Sequence, residues 1–146
     1  MDQKTDFIEF IELLNKEKVK YVIVGGYAIS YHIHPRATGD IDFYYDLDKD
    51  NCIALMKVLE SFAGKSNITI HDLCEPGKIT MIGLPPNRID LINKISGLNF
   101  NEAWNHKVNG SFGGLETWYI SKNDLLKNKK ASNRPKDQID IEWLSD

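Results

Sequence analysis

Lys20-Tyr21-Val22-Ile23-Val24-Gly25-Gly26, followed after a short interval by Arg36-Ala37-Thr38-Gly39-Asp40-Ile41-Asp42-Phe43, is the stretch from which the architecture can be read. The β-branched and aromatic residues of 20–24 predict a buried strand that breaks at the glycines. Tyr27-Ala28-Ile29-Ser30-Tyr31-His32-Ile33 spaces its apolar residues as a short helix does, and it stops before Pro35. A glycine pair opening a helix lets backbone N–H groups and the positive helix end approach an anion closely. In Asp40-Ile41-Asp42-Phe43 the side chains alternate, so a strand would project both carboxylates from one face and bury Ile41 and Phe43 on the other.

Working outward, Phe7, Ile8, Phe10, Ile11, Leu13 and Leu14 follow a helical period, with Asp6 and Glu9 as a capping pair. Downstream, Ile53, Leu55, Met56, Val58, Leu59 and Phe62 mark a longer amphipathic helix ending near Gly64. Ile68-Thr69-Ile70, Ile79-Thr80-Met81-Ile82 and Arg88-Ile89-Asp90-Leu91-Ile92 read as short strands separated by proline- and glycine-bearing turns. Residues 98–114 read as a loop-rich excursion holding a short helix. Leu115 to Ile120 reads as a last strand, Ser121 as a helix cap, and Arg134-Pro135-Lys136-Asp137 as the opening of a terminal helix. Strands alternating with helices in so short a chain predict an α+β fold, a small mixed sheet with helices packed on it.

The chain has 146 residues, the length of one ordinary domain spanning 1–146, with a core over about 19–95 and a helical segment over about 121–146. Hydrophobic and charged fractions of 42% and 27% are those of a globular protein, and no apolar run is long enough to cross a bilayer. The acidic, polar opening Met1–Asp6 is unlike a secretory signal, and the expected location is cytoplasmic. Cys52 and Cys74, in no Cys-x-x-Cys pattern, read as reduced structural thiols. A net charge of −3 argues against bulk attraction to nucleic acid or anionic membrane. Lys122, Lys127, Lys129, Lys130, Arg134 and Lys136 crowd the C-terminal segment, either to complement a polyphosphate or as a solvated helix face.

Asp90 repeats the apolar-Asp-apolar pattern of Asp40 and Asp42. If its strand lies beside theirs, three carboxylates converge, an arrangement that is costly without a cation. Mg²⁺ or Mn²⁺ suits such oxygen ligands and commonly shares them with substrate phosphates. The bland alternative is that the three residues merely end strands or cap turns. His32 and His34 lack further ligands at metal spacing and read as ordinary histidines. Tyr27, Tyr31, Tyr44 and Tyr45 read as core or rim aromatics, and Trp104, Trp118 and Trp143 as packing residues.

Gly25-Gly26, a short helix, Arg36-x-Thr38-x-Asp40-Ile41-Asp42 and the later Ile89-Asp90-Leu91 resemble the nucleotidyltransferase superfamily with the DNA polymerase β-type fold, particularly its small bacterial AbiEii-type members. The ending Lys129 … Arg134-Pro135-Lys136-Asp137-x-x-Asp140 is similar to that group as well, so the resemblance spans about residues 19 to 144. It implies that Gly25 and Gly26 hold nucleotide phosphates, that Asp40 and Asp42 bind two metal ions, and that Asp90 binds the catalytic one and helps deprotonate an acceptor hydroxyl. Many relatives carry Gly-Ser where this chain has Gly25-Gly26, so a hydroxyl contact is missing while the backbone donors remain. Thr38 would tie the loop before the strand, and Arg36 would meet a phosphate or pair with a carboxylate. Lys129 would reach the phosphates or stand as an exposed helical lysine. Asp137 and Asp140 share a helix face and read first as partners for Lys or Arg.

The function expected from these residues is metal-dependent transfer of a nucleoside monophosphate from a nucleoside triphosphate to a hydroxyl-bearing acceptor, releasing pyrophosphate. The acceptor, whether RNA, protein or small molecule, is not legible, and a partner protein is an open expectation. The alternative keeps the fold without turnover, as a nucleotide-binding or toxin–antitoxin module. A glycosyltransferase using Asp40-x-Asp42 would need a longer chain, and a phosphatase with a nucleophilic Asp40 would want that motif after its first strand.

Overall fold

A computed structural model describes residues 3–146, with Met1 and Asp2 of the polar opening outside it. Helix α1 (Gln3–Lys16) leads into strand β1 (Tyr21–Val24), helix α2 (Gly25–His32) and strand β2 (Asp40–Tyr45). Helices α3 (Lys49–Ala63) and α4 (Ile70–Cys74) precede strands β3 (Thr80–Ile82) and β4 (Arg88–Ile92). Helix α5 (Phe100–Asn105), strands β5 (Val108–Phe112) and β6 (Leu115–Tyr119), helix α6 (Lys122–Ser132), a 3₁₀ turn (Pro135–Asp137) and helix α7 (Gln138–Ser145) complete the described chain.

The six strands form one mixed sheet in the order β3-β4-β2-β1-β6-β5. β2 runs antiparallel to β1, with Val24 opposite Asp42, and parallel to β4, with Asp42 opposite Asp90. β6 lies parallel to β1 on its other side. The expected α+β architecture, a sheet covered by helices, is what the chain adopts.

Strand alternation divides the interior in two. Tyr21 and Ile23 of β1, Ile41, Phe43 and Tyr45 of β2, and Ile89 and Leu91 of β4 enter a core with Phe7, Phe10 and Ile11 of α1 and Leu55 and Leu59 of α3. Val22, Val24 and Tyr44 enter a second core on the opposite face, with Ile29 of α2, Phe100 of α5, Leu125 of α6 and Leu144 of α7. Asp40 and Asp42 therefore project on the face shared with Tyr44, toward α6 and α7, while Ile41 and Phe43 are fully buried on the other. Full burial of such side chains is worth about 2 kcal/mol each, so the large core anchors the strands that carry the acids.

Three local expectations are corrected. Residues 68–70 are not a strand: Thr69 caps α4, its hydroxyl accepting the Asp72 N–H at 3.2 Å while the Asp72 carboxylate accepts the Thr69 N–H at 2.8 Å. The excursion over 98–114 holds the expected short helix, α5, but also β5, which joins β6 through Gly113-Gly114, both at positive φ. A two-residue Gly-Gly connection supplies the left-handed backbone that a tight hairpin needs. Asp6 lies in the first turn of α1 rather than at its cap.

The aromatic expectations hold with one exception. Tyr44 and Tyr45 are buried, Tyr27 packs edge-on to Phe7, and Tyr31 stacks on Tyr119. Trp143 instead stands 48% exposed, its ring edge-on to His34. His32 is pinned to the Ile120 carbonyl at 2.7 Å. Both cysteines are free, with Cys52 buried and its thiol pushed up to about 12 by burial and the neighbouring Cys74. No helix among the described residues is long and apolar enough to cross a membrane.

Candidate active site

The register of β2 against β4 sets Asp42 beside Asp90, and Asp40 one pleat earlier beside Arg88. Because residues two apart share a strand face, these four side chains form a compact square. One ligand oxygen from each of Asp40, Asp42 and Asp90 lies within 4.8 Å of the others. Asp90 is the most enclosed, at 5% exposure.

Crowding three acids shifts their protonation. Burial, followed by the neighbouring Asp40 and Asp90 carboxyls, pushes the Asp42 carboxyl up to about 8. Burial also raises Asp90, against the pull of the Arg88 guanidinium. For Asp40 burial pushes upward as well, but hydrogen bonds from the other two carboxyls and the charge of Arg88 outweigh it and hold the group below its ordinary value. The cluster thus keeps a proton at neutral pH that a carboxylate in water would have released.

Gly25 packs directly against this cluster. Its φ is +69°, and a Cβ there would run into the Asp42 carboxylate. Gly25→Ala is expected to lower stability by about 2 kcal/mol through backbone strain and displacement of Asp42, read as a fall in the urea midpoint. At Gly26 a Cβ would lie 2.6 Å from the Thr38 methyl group, so threonine fills the space a side chain would take. The Thr38 hydroxyl donates to the Asp40 carbonyl at 3.2 Å, tying the loop to the start of β2 as expected.

The two basic candidates reach carboxylates. Arg36 grips Asp140 of α7 with both guanidinium arms, the shorter bond at 2.5 Å. Lys129, only 8% exposed, sits 3.3 Å from both Asp137 and Asp140. Asp137, fully buried, also accepts from Ser132 and from the Arg134 backbone and guanidinium. Asp137 and Asp140 are therefore the Lys and Arg partners anticipated, and this network clamps α6, α7 and the loop before β2 together.

Lys129 nevertheless faces a cavity of about 470 Å³, whose walls include Gly25, Asp42, Lys94, Asn128, Lys129 and Arg134. One acid, Asp42, shares that wall with three cationic side chains, Lys94, Lys129 and Arg134. Arg88 and Lys94 are not among the sequence candidates, whereas Arg134 belongs to the basic C-terminal run read as a polyphosphate complement or a solvated face. Arg88 had a signal, since it precedes Asp90 by two in a strand and so shares its face. Lys94, a lone basic residue between Asn93 and Ile95, had none.

A purely carboxylate donor set is the chemistry of a hard divalent ion, and the proton retained on Asp42 marks negative charge that the surrounding groups do not fully compensate. The residues present therefore fit Mg²⁺ or Mn²⁺.

A glycine turn at the end of a central strand, with acids from two neighbouring parallel strands, is the frame that the sequence motif anticipated. The chain belongs to the nucleotidyltransferases: it matches, over residues 5–144, the family described as a nucleotidyltransferase of unknown function (DUF6036). No curated protein matches it.

Proposed function

We propose that this protein transfers a nucleoside monophosphate from a nucleoside triphosphate to a hydroxyl-bearing acceptor, releasing pyrophosphate. One observation carries the reading: Asp40, Asp42 and Asp90 converge, and Asp42 of that cluster lines a cavity together with Gly25, Lys94, Lys129 and Arg134. Divalent ions held by Asp40, Asp42 and Asp90 would supply charge stabilisation to the phosphoryl oxygens and lower the pKa of the attacking hydroxyl.

The chain's own groups have distinct tasks. Backbone N–H groups at the start of α2 orient the triphosphate, with Lys94 on the cavity wall adding positive charge. Asp90 accepts the acceptor hydroxyl proton as the new bond to the α-phosphorus forms and the bond to the bridging oxygen of pyrophosphate breaks. The Asp137 and Asp140 network holds α6, whose Asn128, Lys129 and Ser132 line the cavity, in place against α7. The aliphatic Ile92 and Ile95 give that cavity an apolar stretch suited to a base or sugar.

The test is incubation with Mg²⁺ or Mn²⁺ and each α-labelled nucleoside triphosphate against RNA, protein and aminoglycoside acceptors, comparing wild type with Asp90→Asn. Label on an acceptor with wild type and its loss in the variant is the expected result. Equal labelling by both proteins would remove the assigned role of Asp90. Thermal stabilisation by nucleotide with no transfer to any acceptor would favour a binding module of the same fold, including one acting with a partner protein.

A further inference from the structure

Arg88 sits in the acidic cluster without a part in the scheme above. Its Nε donates to Asp90 Oδ1 at 2.8 Å and its Nη2 to Asp90 Oδ2 at 3.0 Å, so both oxygens of the most enclosed acid are engaged in a fork. The same Nη2 lies 3.4 Å from Asp40 Oδ2. One guanidinium thus spans two of the three carboxylates that would hold a metal. The pairing is local, between residues two apart on one strand, so it needs no other element to form.

We infer that Arg88 is a built-in counter-ion that holds the carboxylate cluster assembled and must leave Asp90 before a divalent ion takes its place. The inference rests on the metal-binding reading above. A fixed positive charge at hydrogen-bond distance from the ligand oxygens repels a second cation aimed at the same oxygens. Displacement is open to it because the Arg88 side chain is 29% exposed and stands at the first residue of β4, where the chain emerges from the 84–87 turn. A guanidinium released there passes into water. Arg88 therefore sets a threshold for metal loading: the cluster stays ordered without an ion and fills only when the ion outcompetes the arginine.

Mn²⁺ binding to the full chain, followed by electron paramagnetic resonance of the free ion, tests this in wild type, Arg88→Gln and Arg88→Lys, with circular dichroism to check folding. Arg88→Gln is expected to bind Mn²⁺ about tenfold more tightly, the factor that one unit of pKa-like interaction represents. Its metal-free melting temperature should fall below that of wild type, with a larger rise on Mn²⁺ saturation. Arg88→Lys keeps the charge but loses the fork, and about two- to threefold tighter binding is expected; this variant carries the test if the glutamine protein does not fold. Equal or weaker Mn²⁺ binding in folded variants would overturn the inference and make Arg88 a support that orients Asp90. No Mn²⁺ binding by wild type or either variant would overturn the metal-binding reading itself, and this inference with it.

Discussion

Asp42→Asn is expected to abolish nucleotidyl transfer, by about a thousandfold or more, while leaving the metal-free protein at least as stable as wild type at pH 8. The first effect follows from losing a ligand shared by both proposed metal positions, which forfeits several kcal/mol of charge stabilisation in the transition state. The second follows from the crowding of the site. Burial and two neighbouring carboxyls push Asp42 up to about 8, against about 4 for an aspartate in the unfolded chain. Between those values the folded state holds a proton that the unfolded state has released, so the contribution of Asp42 to stability declines as pH rises from about 4 to about 8. Asparagine cannot ionise and removes that decline. Urea unfolding of both proteins at pH 5.5 and pH 8.5 reads the difference, and adding Mg²⁺ should recover stability at the higher pH only in wild type. A site tuned for a charged ligand at the expense of the empty fold is the usual trade between activity and stability.

The second large effect is structural. Asp137→Ala should cost about 3 kcal/mol in unfolding free energy, because it takes from the nearly buried Lys129 one of its two anions, leaving Asp140. It also removes the shared acceptor of Ser132 and of the Arg134 backbone and guanidinium. Burial opposes ionisation of Asp137, but hydrogen bonds from Arg134, Ser132 and Lys129 prevail and hold its carboxyl well below the ordinary range. Asp140 is held low in the same way, against its burial, by Arg36 and Lys129. For both groups the folded value is depressed, so their contribution is complete above about pH 4 and is lost as pH falls below it. Thermal melts from pH 5 down to pH 2 should show a steeper decline in wild type than in Asp137→Ala. The surface pair of Lys78 with Asp72 serves as the control, and Lys78→Ala, which leaves the Asp72 cap of α4 intact, should leave the melting curve nearly unchanged.

What could be read from the chain was what depends on period two and on glycine. Asp40-Ile41-Asp42-Phe43 and Ile89-Asp90-Leu91 each announced a strand with acid on one face and core on the other, and both strands are so arranged. That the two lie side by side, with Asp42 opposite Asp90, is a non-local pairing that no window of sequence contains. The failures have particular causes. Ile68-Thr69-Ile70 is β-branched, yet the Thr69-x-x-Asp72 capping pattern outweighs that local preference. Gly113-Gly114 between two apolar-ended runs was a hairpin signal obscured by the polar residues around it. For Arg36 the motif leaves a phosphate or a carboxylate as partner, and the carboxylate of Asp140 is the one in place. Lys129, read as reaching phosphates or as an exposed helical lysine, is instead buried against Asp137 and Asp140, which the folding of α7 against α6 brings close. Arg88 shows how a residue outside any recognised motif can govern the charge of a site once its strand neighbour is known.

The account stands on Asp40, Asp42 and Asp90 jointly holding divalent ions beside the Gly25-Gly26 turn. Anomalous diffraction from crystals grown with Mn²⁺ and a nucleoside triphosphate carrying a non-cleavable α,β-methylene bridge addresses this directly. The predicted result is manganese between the three carboxylates, with the triphosphate against the start of α2. Manganese bound elsewhere, or nucleotide seated away from Gly25 with the three carboxylates free of metal, would contradict it.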